Sequence, residues 1–487
     1  MNRNVFIHNA RLGVIAYAAI TLSLVPSAFA VKSAALNAGE VNVLTQRIDR
    51  LEIDHVPGSF PVGFCLLTHG DRQYAAYFSA DHQMTVASRT LDSDVWSYAK
   101  LPSKIMWDSH NYITMKMDRD GFLHLAGNMH SVKLVYFRTE KPTDITTFKR
   151  FAMTGQDENR VTYPKFMNDH EGNLIFDYRN GRSGSGIRIY NRYDRKTRTW
   201  SRLLDTPLLD GLGKCNAYPT GPVRGPDGLF HLIWVWRDTP DCATNHDLSY
   251  ARSKDMIHWE TASGERILLP MKLTNRSLIV DPIPSGGGTI NGGQKLTFDT
   301  AKRPIITYHK NDDDGNMQVY ATRVEEGKWV RRQLTSWDKL VPFAGMGAME
   351  FIGIRITALE SVEPGVLTTT YHHKDYGRGR LFVDEQTLRP IDRTITIPDE
   401  FPAELNQVKS DFIGENAKGA KGMAIRRAMD SGDSEDDDVR YILQWETLGP
   451  NRDRKPPRLA PNSRLELIEL RKGSSEVNVD AEETKQD

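Results

Sequence analysis

Apolar and polar positions in this chain alternate with a period of two, in short runs punctuated by Gly, Pro, Asp and Asn. That is the pattern of half-buried strands joined by tight turns, and long amphipathic helical stretches are scarce. The runs fall into a repeating unit. A strand carrying an aromatic residue or a His leads through an Asp-Gly-type turn to an apolar strand, then to a strand rich in Tyr and Arg. In one copy His110-Asn-Tyr-Ile113 leads through Asp120-Gly121 to Phe122-Leu-His-Leu125 and Leu134-Val-Tyr-Phe-Arg138. In the next, Thr162-Tyr-Pro-Lys-Phe166 leads through Glu171-Gly172 to Leu174-Ile-Phe-Asp-Tyr-Arg179, and then to Ile187-Arg-Ile-Tyr190 and Trp200. A third passes from Ala217-Tyr-Pro-Thr220 through Asp227-Gly228 to Leu229-Phe-His-Leu-Ile-Trp234 and Trp259.

A period of roughly fifty residues with about four short strands per copy is the signature of propeller blades. Six units are clear, and Arg440-Tyr-Ile-Leu-Gln-Trp445 with Arg464-Leu-Glu-Leu-Ile468 supply a seventh, closed by strands from the mature N-terminus. The predicted fold is therefore all-β, a seven-bladed β-propeller over 31–471; a pair of β-sandwiches is the competing arrangement. Ala417–Asp438, with its acidic run Ser434-Glu-Asp-Asp-Asp438, reads as a loop or disordered insert. The charged tail 472–487 reads as disordered.

The first thirty residues add a different element. Arg3 and Arg11 precede an apolar run from Leu12 to Val25, and Ala28-Phe-Ala30 has the small-x-small form of a cleavage site. This reads as a secretory signal peptide cleaved after Ala30, its apolar run being short for a membrane span. The mature protein is expected to be secreted or periplasmic, monomeric, and without a membrane partner. The 63 basic and 63 acidic residues of the full chain exclude a globally basic nucleic-acid binder. An anionic ligand would have to be held by a local cationic cluster.

In a propeller the strand that opens each blade lines the central channel, so the residues opening the units are the candidates for chemistry: His110, Tyr163, Tyr218 and Gln294. Beside them stand the strand-end residues His130, Arg179, Arg237, His309 and Lys310. Histidines, tyrosines and arginines converging on one site suit proton abstraction next to a carboxylate. An Arg pairs bidentately with the carboxylate and stabilises the enolate-like charge, while His and Tyr move protons. Hydrolysis of a glycosidic bond usually requires two carboxylates; Asp108 and Asp177 lie close to the motifs, but no clear acid pair stands out. Each residue also has a bland reading, as a turn-capping His, channel-packing Tyr or turn-stabilising Arg, and it is their recurrence at equivalent positions that raises them.

These stretches, from Trp107-Asp-Ser-His-Asn111 to Trp234-Val-Trp-Arg-Asp238, resemble the BNR-repeat-type seven-bladed propellers, and among them the secreted ulvan lyases. The resemblance covers roughly Val43 to Leu381. It implies a polysaccharide lyase cutting a sulfated rhamnose–uronate polymer by β-elimination, with His110 and Tyr163 as the acid and base in either order and Arg179 on the uronate carboxylate. The resemblance makes His130 and Tyr218 supporting site residues, and the strand-end positions of Arg237, His309 and Lys310 add them as substrate-binding candidates. Ser253-Lys-Asp-Met-Ile-His-Trp259 is a single degenerate Asp box, which argues against a sialidase. The rivals are a propeller hydrolase or lyase on another rhamnose–glucuronate polymer, and a non-catalytic glycan-binding protein.

Three cysteines are too few for a disulfide framework. Cys215, His231, Cys242 and His246 make a donor set suited to structural zinc, which the resemblance also implies; a Cys215–Cys242 disulfide is the alternative. No catalytic cofactor is expected. Asn311-Asp-Asp-Asp-Gly315 lacks the terminal Glu of a calcium loop and reads as a solvated turn.

Overall fold

The computed structural model describes residues 47–471 apart from 349, 350, 417, 418, 433, 435 and 437; the predicted signal peptide and tail lie outside them. The fold is all-β. Among the described residues the helical elements are four short 3₁₀ turns, and no helix is long and apolar enough to cross a membrane.

Seven sheets of four or more strands follow one another along the chain. Within each, consecutive strands pair antiparallel. The opening strands are Cys65–His69, Ile113–Met117, Val161–Asn168, Asn216–Arg224, Lys295–Phe298, Ile354–Ile356 and Ala424–Met429. The seventh sheet has the order Ala424–Met429, Val439–Thr447, Ser463–Arg471 and then Arg47–Val56, so the N-terminal strand completes the sheet built by the C-terminal ones. The expected insert at Ala417–Asp438 is thereby corrected. Ala424–Met429 is a paired strand in register from Ala424↔Thr447 to Met429↔Ile442, and its apolar residues were masked by the acidic run that follows.

The second strand of each unit is more buried than a period-two pattern implies. All eight residues of Phe230–Arg237 are buried. Alternate side chains point to opposite faces: Phe230, Leu232, Trp234 and Trp236 pack against Ile175 and Tyr190 of the third sheet. Ile233 and Val235 pack against Ile306 and Tyr308 of the fifth. Each such side chain contributes about 1.5–3 kcal/mol on burial. A further cluster joins the fifth and sixth sheets through Ile305, Val319, Ile354 and Leu367. The largest joins the seventh sheet to the first, second and third, through Leu443, Leu66, Leu125 and Phe176. The core is thus a succession of layers between neighbouring sheets.

The turns repeat one device. Asp118 accepts from the amides of Asp120 and Phe122, and Asp169 from those of Glu171 and Asn173. Gly121 and Gly172 follow at φ 82° and 79°, the left-handed region that glycine enters without steric cost.

Candidate active site

In each sheet the first residues of the opening strand pair with the last residues of the second strand, so Thr162 lies opposite Arg179 and Asn216 opposite Arg237. The candidate residues gather at this end. His130 begins a short strand, His130–Val132, that joins the third sheet with His130 opposite Thr162. His110 precedes the opening strand of the second sheet. Their imidazole rings lie 4.5 Å apart.

Asp108 sits between the two histidines. Its Oδ1 is 2.8 Å from His110 Nδ1 and its Oδ2 is 2.6 Å from His130 Nδ1. A second carboxylate, Asp453, arrives from the seventh-sheet segment after Val439–Thr447, placing Oδ2 3.3 Å from His110 Nδ1 and Oδ1 3.1 Å from the Ser109 amide. Burial opposes charging of His110, which is 8% exposed, but the hydrogen bonds to Asp108 and Asp453 outweigh it and hold the imidazole well above its ordinary pKa. Burial likewise opposes ionisation of Asp108, and the two histidines overcome it, holding its carboxyl well below the usual range. The two carboxylates therefore favour the imidazolium form of His110, in which Nδ1 donates to them and Nε2–H faces away.

Tyr163 stands next, its ring 6.3 Å from that of His110 and 6.4 Å from that of Tyr218. Its backbone is left-handed, φ 57°, at a register shift between Thr162 and Lys165. A bulky residue in that region is strained, and the bulge re-aims its side chain. The Arg179 guanidinium lies 5.0 Å from the Tyr163 ring centroid. Arg179 is 2% exposed. It donates to Thr162 Oγ1 at 3.1 Å and Ser131 Oγ at 3.5 Å, and its buried Nε has no acceptor among the described residues. A buried cation held only by hydroxyls is costly, and an incoming carboxylate would complete it. Tyr218 hydrogen-bonds Ser183 Oγ at 2.7 Å, with the Arg237 guanidinium 5.5 Å from its ring centroid. Arg237 donates to the carbonyls of Thr239, Pro240 and Asp241.

Six of the predicted residues, His110, His130, Tyr163, Arg179, Tyr218 and Arg237, thus form one continuous group. His309 reaches the same end but is 2% exposed. Its Nδ1 lies 2.9 Å from the Gly288 carbonyl, and burial pulls it down to about 4. It is a neutral packing residue rather than a substrate contact. Lys310 alternates to the other face and pairs with Asp281 at 2.8 Å. Asp177 is bound by Arg188 at 2.5 Å. Asp453 and Ser183 escaped sequence reading because neither lies in a repeat motif; Asp108 was in view, but as one half of a missing acid pair.

The zinc set is also corrected. His231 lies opposite Arg252, whereas His246 lies opposite Trp236, five residues further along the strand that carries His231. That separates the two histidines by about 16 Å. His231 Nδ1 is 2.7 Å from the Tyr250 hydroxyl and Nε2 is 3.0 Å from Asp227. His124 is held the same way, by Tyr136 at 2.8 Å and Asp118 at 3.2 Å. The pair is a repeated blade-building motif. His246 is bracketed by Asp238 and Asp247. Cys215 and Cys242 are buried in different core clusters and are not bridged to each other, so the disulfide is not formed either. These four residues do not fit a shared zinc ion.

A family model for BNR repeat-containing family members matches residues 72–337, more than half of the chain. Over 60 residues the sequence is 40% identical to the long isoform of an ulvan lyase from Glaciecola sp. (strain KUL10), covering 11% of this chain and 6% of that protein. Over 153 residues it is 26% identical to the short isoform of an ulvan lyase from Alteromonas sp. (strain LOR), 28% of each. The matched segments therefore span less than a third of these relatives. Among solved structures, the polysaccharide lyase Uly1 superposes with a TM-score of 0.55 at 13% identity, over 88% of this chain and 99% of that one. A PL25 ulvan lyase bound to -[GlcA(1-4)Rha3S]- gives 0.52 at 12% identity, over 86% and 95%. The structural likeness is one of fold, and the family match rests on the repeats themselves: this chain belongs to the BNR repeat-containing family.

Proposed function

We propose that this chain is an exported polysaccharide lyase that cleaves a sulfated rhamnose–uronate polymer of the ulvan type by β-elimination, its seven sheets arranged as the blades of a propeller. The observation that carries the reading is Arg179, a buried guanidinium that meets no carboxylate among the described residues, against Tyr163 and close to His110 with its two carboxylate partners. The relatives named as ulvan lyases, and the solved fold seen with a glucuronate–rhamnose 3-sulfate unit, support the substrate class.

In this reading Arg179 pairs with the uronate carboxylate and stabilises the negative charge that develops as the C5 proton leaves. Tyr163 acts as its phenolate, the anion favoured by the adjacent Arg179 and His110 cations, and takes that proton to become the neutral phenol. The electron pair forms the C4–C5 double bond, the C4–O bond breaks, and the His110 imidazolium protonates the departing oxygen through Nε2. Assigning the acid to His110 follows from its two carboxylate partners, which favour its charged form. The same partners disfavour a hydrolase reading, because Asp108 and Asp453 both face His110 rather than flanking a glycosidic bond.

The test is ultraviolet absorbance of the unsaturated uronate formed from ulvan by the purified protein. His110→Ala and Arg179→Ala should each lower kcat at least about a hundredfold with the fold intact. New reducing ends without the absorbance would move the protein to hydrolysis, and binding without either product would make it a glycan-binding protein.

A further inference from the structure

A strained backbone persists only where its surroundings fix it, and at Tyr163 the strand ladder does not supply the hold. Thr162 lies opposite Arg179 and Lys165 opposite Asp177, so Tyr163 and Pro164 together stand against the single residue Tyr178. Pro164 has no N–H to return to the ladder. Two side chains reach the bulge from outside its strand. Tyr112, just before the opening strand of the second sheet, donates its hydroxyl to the Pro164 carbonyl at 2.9 Å. Arg188, in the strand Ser185–Asp194, donates to the Tyr163 carbonyl at 3.5 Å and to Asp177 Oδ2 at 2.5 Å. Arg188 is thus committed to the buried Asp177, and its contact with Tyr163 is long and weak. The bond from Tyr112 is the firmer hold.

Tyr112 lies two residues from His110 on the same loop, and that loop is fixed independently of the bulge. Asp108 and Asp453 hold the His110 ring, and Asp453 also accepts from the Ser109 amide. The Asn128 amide donates to the carbonyls of Asn111 and Tyr112, and the Ile113 amide to that of Gly63. Gly63 makes room for the close approach, since a Cβ there would meet Tyr112 Cβ at 3.0 Å. Burial pushes the Tyr112 phenol well up, which keeps it a neutral donor. One hydrogen bond therefore ties the loop bearing His110 to the bulge bearing Tyr163, whose rings lie 6.3 Å apart.

We propose that Tyr112 is a positioning residue that sets the separation of acid and base: its hydroxyl holds the Tyr163–Pro164 bulge against the His110 loop, so that the C5 proton and the departing oxygen are met at one sugar linkage. The proposal rests on the lyase reading for the roles of His110 and Tyr163. It goes beyond that reading in assigning the geometry between them to a residue that the elimination itself does not use.

The experiment is Tyr112→Phe, which keeps the ring and removes the hydroxyl, followed by ultraviolet turnover of ulvan and by a crystal structure of the variant. Loss of one neutral hydrogen bond leaves the variant able to fold, which near-ultraviolet circular dichroism matching the wild type verifies. Because a small misplacement of reacting groups is felt in the chemical step, kcat should fall about ten- to a hundredfold, with KM changed less than about twofold. In the crystal the Tyr163 ring should have moved off the Arg179 guanidinium. Tyr250→Phe, which strips a hydroxyl from a buried hydrogen bond to His231 in the fourth sheet, should leave both constants unchanged. An unchanged kcat in Tyr112→Phe would overturn the proposal, as would a loss confined to KM or a lowered kcat with Tyr163 unmoved. Failure of the wild-type protein to form unsaturated uronate would sink the lyase reading separately. The crystal structure would still decide whether Tyr112 holds the bulge, and an unmoved Tyr163 would then end the proposal as well.

Discussion

At the scale of single residues, the site is organised by carboxylates that act through histidine. Asp453 does not reach the candidate reacting atoms; it contacts His110 and the Ser109 amide, which makes it a positioning residue. His110 faces Asp108, Asp453, His130 and Tyr163, with Arg179 behind Tyr163. Removing one carboxylate in Asp453→Asn should lower the pKa of His110. If His110 is the acid, the charged form is the active one, so the alkaline limb of the pH profile of kcat/KM should move to lower pH while the acid limb stays. A shift of the acid limb instead would reassign His110 as the base. The linkage has the same sign: a raised His contributes stability that is present below its unfolded value and lost as pH rises through the folded one. His110, Tyr163 and Arg179 were legible in the sequence because they recur at matching points of the repeat. Asp453 was not, because nothing in Asn451-Arg-Asp-Arg454 marks it.

At the scale of elements, one strand explains why a plausible metal set fails. Phe230–Arg237 carries His231 near its start and Trp236, opposite His246, near its end. Spacing along the chain brought four donors to mind, but strand rise and register keep them apart. What the sequence did contain was the parallel between Phe122-Leu-His124 and Leu229-Phe-His231, each histidine bridging an Asp at the turn to a Tyr on the third strand. Two consequences follow. Prolonged chelation should leave the melting temperature unchanged, and a drop that zinc restores would reinstate the metal. Tyr250→Phe should cost about 1–2 kcal/mol in chemical denaturation by stripping a partner from buried His231, whereas a neutral result would mean that the bridge is dispensable.

At the scale of the whole molecule, Arg47–Val56 pairs with Ser463–Arg471 and joins the two ends of the described chain in one sheet. Ile53 and Val56 are buried there. Deleting 47–56 removes about 1.5–3 kcal/mol for each of them and bares the edge of Ser463–Arg471. The truncated protein should melt well below the full chain or aggregate; an unchanged melting temperature would show that the pairing is not needed for stability. The sequence by itself determined most of the strands and turns and the sheet count, the strand Ala424–Met429 excepted, because period-two hydrophobicity and left-handed glycines are local properties of each repeat. It also marked most of the His110–Arg179 group, because a repeat places equivalent residues at equivalent ends. Only the tertiary structure decided how charges pair. Lys310 looks available in the sequence and is neutralised by Asp281, while Arg179 is buried and meets hydroxyls rather than a carboxylate among the described residues. Burial and partnership of a charge depend on strands distant in the chain, and no local pattern encodes which neighbours those strands bring.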